Sequence, residues 1–354
     1  MKIKSKFTKL VTYGLFLFTA VKLMPQRKTT VYIEMTQVAS NRRLITLVRY
    51  FSENGYKCLV HIPVKKFIRV FLSELYVFRE KSVKFALPFC AGRAAMILTD
   101  RPGKFKGKNR IVSLDYDVFN KKRDYSDGYF FPIAFYPSFL NRESERLALS
   151  KSGNGNRAIK VLFAGTIDHF YQDERTKEYF EINTRAEIFD YIQQQMPSDQ
   201  VYIPRTYSDL RDKMQNGELV DKIVLLNASE VAIPPEDYFA VLHQTDYFIH
   251  MSGYIQPFCH NQIETMACGV IPITQFPDIF HPNLDEGVHA RIFKTLPDLH
   301  ALLEKILTEK SDTMDTIRAN VVSYYKDYFS YDSFEKRITT TGTLYICAGR
   351  DSLL

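Results

Sequence analysis

Residues Tyr247–Phe276, YFIHMSGYIQPFCHNQIETMACGVIPITQF, read in order as a strand, a loop, a helix and a second strand. Tyr247–Met251 is an apolar, β-prone run. Ser252 and Gly253 make the loop. Pro257 opens a helix over Pro257–Cys268, at a first-turn position where its missing N–H costs nothing. Gly269 ends that helix, and Val270–Thr274 is the next strand. The order predicts two parallel strands joined by a crossover helix. Free N–H groups and the positive dipole end of the helix then make an anion site at the carboxyl edge of the sheet. His260, Asn261 and Glu264 fall at i, i+1 and i+4, so His260 and Glu264 share a face one turn apart. A diphosphate is expected at His260, Asn261 and the helix start. A carboxylate one turn deeper suits a ribose diol.

The same alternation extends outward in both directions. In the front half, strands are expected at Val31–Met35, Cys58–Pro63, Ala95–Thr99 and Ile111–Leu114, with helices at Ser40–Ser52 and Lys65–Phe78. Residues 129–157 interrupt the rhythm with Pro132, Pro137 and the polar run Ser150–Asn156, and read as an interdomain crossing. A second series follows. Its strands are Ile159–Ala164, Lys222–Leu226, Tyr247–Met251 and Val270–Thr274. Its helices are Thr184–Gln195, Asp237–Gln244, Pro257–Cys268 and Leu296–Leu307, with a helical end at Asp312–Tyr328. The fold class is α/β: two Rossmann-like domains facing a cleft, after a leading helix. The expected divisions are a leader at 1–29, a front domain at 30–150, a second domain at 158–330, and a tail at 331–354 that returns to the front domain.

ETMACGVIPI resembles the E-A-M-A-C-G-x-P-V/I signature of the nucleotide-sugar domain in glycosyltransferases of the GT-B fold. The longer form IQPFCHNQIETMACGVIPI is similar to bacterial cell-surface polysaccharide glycosyltransferases, in which P-F-C-H-N precedes the glutamate. Val161–Asp168, VLFAGTID, resembles the first strand and glycine turn of the same domain. Many members carry E-x7-E ending at this glutamate; this chain reads Q-x7-E, with Gln256 in the first place. The resemblance implies transfer of a sugar from a nucleotide-diphosphate-sugar to a glycan acceptor, lipid-linked, in cell-surface polysaccharide synthesis. It implies that Glu264 holds the donor ribose and that Gln256 stands in the place of the sugar-facing glutamate. Gly165 lets backbone approach the phosphates, with Gly253 in the same loop cluster, and Arg185 adds charge to the diphosphate. No cofactor or metal is implied, because cationic side chains and helix dipoles neutralise the leaving group. The donor itself is substrate. An epimerase on the same fold and a non-catalytic nucleotide-sugar-binding module are the alternatives, and the uncharged Gln256 is what keeps the module open.

The front half offers further candidates. Thr36 and Gln37 follow its first strand, and Asp100 and Arg101 follow another, so all four belong at a carboxyl edge. Asp100 is the candidate catalytic base, and His260 the second catalytic candidate. Asp115-Tyr116-Asp117 has the D-x-D form of a metal site. The GT-B-like segment argues against that use.

Charge separates the halves. Residues 1–30 carry seven basic side chains and no acid; residues 31–157 carry 23 basic and 11 acidic, and residues 158–354 carry 17 and 29. The clusters Lys104–Arg110 and Lys121–Arg123 do not interleave with aromatics, which argues against nucleic acid and for an anionic membrane surface or a lipid-diphosphate acceptor. Leu10–Val21 is an apolar run of twelve residues, about 18 Å as a helix and too short for a bilayer core of about 30 Å. It reads either as an interfacial helix using Phe7, Leu15, Phe16 and Phe18, or as a helix packed on its own domain. Five scattered cysteines without a CxxC pair point away from zinc and disulfides and towards a reducing, cytoplasmic location. The basic leader and the lipid-linked acceptor add the expectation of a peripheral position on the inner face of the plasma membrane. There is no G-x-S-x-G or Walker A motif.

Overall fold

The structure is a computed structural model and describes residues 11–14, 29–36, 41–67, 80–106, 109–119, 124–131, 135–153, 155–167, 174–253, 257–309 and 311–347. The chain divides into two compact units. One takes in Met1–Ile133, Pro137–Arg142 and Ser330–Leu354; the other takes in Ala134–Tyr136 and Glu143–Phe329.

The first unit is built on a seven-stranded sheet. Its strands are β1 (Thr30–Glu34), β2 (Lys57–His61), β3 (Val83–Phe85), β4 (Met96–Thr99), β5 (Arg110–Asp115), β6 (Tyr129–Phe131) and, from the far end of the chain, β13 (Thr343–Ile346). They lie in the order β3-β2-β1-β4-β5-β13-β6, and every ladder is parallel. All five residues of β1 are buried, as expected of a central parallel strand covered on both faces. The Asn41–Glu53 helix packs on the sheet through Leu44, Leu47, Val48 and Phe51, all buried. Each such side chain contributes about 1.5–3 kcal/mol on burial.

The second unit holds six strands: β7 (Ile159–Gly165), β8 (Val201–Tyr202), β9 (Ile223–Asn227), β10 (Thr245–His250), β11 (Ile271–Thr274) and β12 (Arg291–Ile292). Their order is β12-β11-β10-β7-β9-β8, again with every ladder parallel. Numbered within the unit, this reads 2-3-1-4-5-6; in the first unit β1 to β6 follow the 3-2-1-4-5-6 order of a Rossmann sheet, with β13 inserted between β5 and β6. Each sheet reverses its winding at one point: between β1 and β4, and between β7 and β10.

Several expectations are corrected. Residues 129–157 are not a bare crossing. They contain β6, whose residues Tyr129, Phe130 and Phe131 are all buried, and the Arg142–Ser150 helix, whose Glu145 receives the Tyr325 hydroxyl at 2.9 Å. The second unit accordingly takes in Glu143 onward, before the expected start at 158. β13 places the tail in the first sheet, paired with β5 and β6. The Pro257–Cys268 helix begins later, at His260, with Cys259 as its N-cap. The Pro257 carbonyl is spent on the Gly253 N–H and the Gln262 amide, so Pro257 belongs to the loop. Of the Lys65–Phe78 helix, Val64–Phe67 is described and the rest lies outside the described residues.

The leader is described at residues 11–14 alone, where Tyr13 packs edge-on against Phe67 and Phe85, with ring centroids at 5.0 and 5.4 Å. The lipid-facing candidates Phe7, Leu15, Phe16 and Phe18 lie outside the described residues. Among the described residues no helix is long and apolar enough to cross a membrane.

Candidate functional site

A cavity of about 250 Å³ opens at the carboxyl edge of the second sheet. Gly165, Arg185, Tyr238, Cys259, His260 and Asn261 are among its walls. It lies where the winding of that sheet reverses: Gly165 ends β7, and the His260–Ala267 helix follows β10. This is the position at which open α/β sheets take their ligands.

His260 and Glu264 are brought together, as their i, i+4 spacing requires. His260 Nδ1 stands 3.0 Å from Glu264 Oε2. Glu264 is fully enclosed, with no exposed surface. Its Oε2 also accepts from the Tyr238 hydroxyl at 3.0 Å, and its Oε1 from the Tyr136 backbone N–H at 2.6 Å. Burial opposes ionisation of this carboxyl. The His260 ring and the two further donors outweigh it and hold the group below the usual carboxylate range. Tyr238, buried against that carboxylate, is driven far above its ordinary value. A carboxylate only accepts, so His260 carries a proton on Nδ1 and its Nε2 is the nitrogen left for a ligand. The sequence assigned Glu264 to the donor ribose. In this structure its carboxylate is enclosed and bonded to the His260 ring, the Tyr238 hydroxyl and the Tyr136 N–H.

Arg185 is also committed. It is 2% exposed, and its guanidinium donates to the Ser252 carbonyl, to the Thr166 carbonyl at 3.0 Å, and to Cys259 Sγ at 2.9 Å. It holds three loops of the cavity wall together and is itself part of that wall. Its helix is fixed by a capping box between Thr184 and Glu187. Gly165 is needed beside it: a Cβ there would meet Arg185 Nη1 at 3.2 Å and Phe163 Cζ at 3.1 Å.

The Asn261 side chain donates to the Ala164 carbonyl at 3.5 Å, and its Oδ1 has no partner among the described residues. Gly253 N–H braces the loop on Pro257 O at 3.3 Å and so is not offered to a phosphate in this arrangement. Gln256 lies outside the described residues. Sequence reading missed Tyr136, Tyr238 and Cys259. Cys259 alone had a local signal, sitting one residue before His260.

In the first unit, Asp100 and Thr36 meet at the carboxyl edge. The Asp100 carboxylate accepts from Thr36 N at 2.6 Å, Thr36 Oγ1 at 2.7 Å and the Tyr116 hydroxyl at 3.1 Å. These bonds make it a tie between loops, which counts against the base role that its position suggested. Gln37 and Lys121–Arg123 lie outside the described residues. In the D-x-D segment, Asp115 Oδ1 accepts the Asp117 N–H at 2.9 Å, an ordinary Asx turn. Among the described residues no group of three or more His, Cys, Asp or Glu side chains is placed to hold a metal ion.

No protein-family model and no curated protein matches the chain. Among solved structures, HepE of Anabaena in complex with UDP is similar with a TM-score of 0.49 and 10% identity, over 88% of this chain and 98% of that one. WaaB, a lipopolysaccharide outer core galactosyltransferase in its apo form, has a TM-score of 0.46 and 10% identity, over 88% and 99%. A glycosyltransferase from Rickettsia africae has a TM-score of 0.46 and 10% identity, over 88% and 96%. The two-sheet fold given above rests on the strand order and ladders of this chain itself.

Proposed function

We propose that this chain is a glycosyltransferase that transfers a sugar from a nucleotide-diphosphate-sugar to a glycan acceptor in cell-surface polysaccharide synthesis. The observation that carries the reading is the cavity at the winding reversal of the second sheet, walled by the first turn of the His260–Ala267 helix. That helix start offers unpaired N–H groups and a positive dipole end to a diphosphate. His260, oriented by Glu264, presents Nε2 to the leaving phosphate. As imidazolium it donates to the charge that develops there, and as imidazole it accepts a proton. Arg185 adds positive potential from within the wall and keeps the loops preorganised.

The acceptor is lipid-linked, bound by the first unit at the inner face of the plasma membrane. The basic leader and the front-half excess of 23 basic over 11 acidic residues support this. Stabilisation of the leaving group by cations and dipoles requires no metal.

The test is donor hydrolysis and binding screened across UDP-, GDP- and ADP-sugars, in buffer with EDTA. One donor is expected to bind and turn over slowly, and His260→Ala is expected to abolish turnover. No binding by any of them would remove the reading. Binding without turnover under any acceptor condition would favour a nucleotide-sugar-binding module.

A further inference from the structure

The first sheet has its own winding reversal, between β1 and β4, and charged side chains gather at its carboxyl edge. Glu34, the last residue of β1, is completely buried. Its Oε1 receives two cations: Arg101 Nη2 at 3.1 Å and Lys104 Nζ at 2.9 Å. Thr99 Oγ1 donates to Oε2 at 3.4 Å. His61 Nε2 is 3.8 Å from Oε1, but burial lowers the pKa of that ring below its ordinary value, so it adds no charge at pH 7. Glu34, Arg101 and Lys104 therefore sum to a net charge of +1.

Both cations remain open to solvent, with Arg101 45% and Lys104 37% exposed as side chains. Among the described residues Glu34 is the one carboxylate paired with either. The neighbouring Asp100 is turned to Thr36 and Tyr116. Two cations brought to one oxygen repel each other, and an anion bridging them relieves that repulsion. Arg101 keeps further N–H groups for a fork-like contact, and Lys104 keeps two of its three. The short helix that bears Lys104 starts at Pro102, and the Arg101 N–H is tied to Thr99 Oγ1 at 3.1 Å, so both side chains stand on a braced turn.

We propose that Arg101 and Lys104, seated on Glu34, form a phosphate-binding site in the first unit that takes a phosphate or diphosphate group of the acceptor. The identification of the ligand as acceptor rests on the glycosyltransferase reading; the anion site itself does not.

The experiment is calorimetric titration of the full chain with inorganic pyrophosphate, alone and in saturating UDP, and with farnesyl diphosphate below its micellar concentration. Arg101→Gln and Lys104→Gln are compared with wild type. Each leaves one cation on Glu34, which preserves its pairing, and thermal melting checks that both remain folded. Saturable pyrophosphate binding that persists in UDP and weakens about tenfold in each variant is expected. Farnesyl diphosphate is expected to depend on the same two residues. Unchanged affinity in both variants, or binding that UDP abolishes, would overturn the site. Pyrophosphate binding through Arg101 without farnesyl diphosphate binding would overturn the acceptor assignment. If no nucleotide binds while the Arg101 dependence holds, the donor reading fails and the anion site stands.

Discussion

His260 Nδ1 and Glu264 Oε2 stand 3.0 Å apart on one face of a single helix, and the other two donors to Glu264 come from Tyr136 and Tyr238. The bond sets which nitrogen of His260 is free, and under the proposed function that nitrogen meets the ligand. His260→Ala and Glu264→Gln are each expected to weaken nucleotide binding about tenfold, the scale of one charge-assisted hydrogen bond. The double variant is expected to lose no more than His260→Ala alone. Calorimetry on the four proteins checks this; losses that add would separate the two residues.

The same network predicts an acid dependence of stability. The Glu264 carboxyl is held below its unfolded value, so its contribution is present above about pH 4.3 and is lost as pH falls through the folded value. Glu264→Gln lacks this term. The melting temperature of wild type should exceed that of the variant near neutrality, and the gap should close as pH falls below about 4.3. A gap that stays constant over that range would show that the carboxylate is not held ionised by these donors.

Cys259 lies in the cavity wall, accepts from Arg185 Nη2 at 2.9 Å and stands at the N-cap position of the helix that bears His260. Of the five cysteines, Cys58, Cys268 and Cys347 are buried, while Cys90 and Cys259 are partly exposed. Iodoacetamide on the native protein is therefore expected to label Cys90 and Cys259 first, as read by peptide mass mapping. Bound nucleotide should slow labelling at Cys259 and leave Cys90 unchanged. Equal protection of both would place the ligand elsewhere.

Much of this arrangement was legible in residues 247–276, and the reasons are local. An apolar run, a Ser-Gly loop, a helix closed by Gly269 and a second apolar run fix a β-α-β unit without knowledge of the rest. Two residues one helical turn apart must share a face, so His260 and Glu264 could be paired from spacing alone. What Glu264 does was not legible. Tyr238 lies 26 residues before it and Tyr136 lies 128 before it, and no periodicity links such positions. The bonds of Asp100 are hidden for the same reason, since its partner Thr36 is 64 residues away. The helix start was misplaced because proline is tolerated equally in a first turn and in a preceding loop. The Pro257 carbonyl bonds decide between them, and they are tertiary. β13 joins the first sheet by the same kind of long-range pairing, with β5 and β6.

Gly269 offers a test of the backbone on which the cavity depends. It ends the His260–Ala267 helix at φ +68°, and a Cβ there would come within 2.3 Å of the Ser152 carbonyl oxygen. Its own carbonyl accepts from Arg318 Nη1 at 2.7 Å, and Arg318 in turn pairs with buried Asp246 at 2.6 Å. Left-handed strain and a backbone clash act together, so Gly269→Ala is expected to cost about 2–4 kcal/mol, read by urea unfolding. Gly217, also left-handed at φ +70° but with open space around it, is the control. Gly217→Ala carries the conformational cost alone, about 1 kcal/mol. If the two variants lose equal stability, contact with Ser152 does not constrain the helix end.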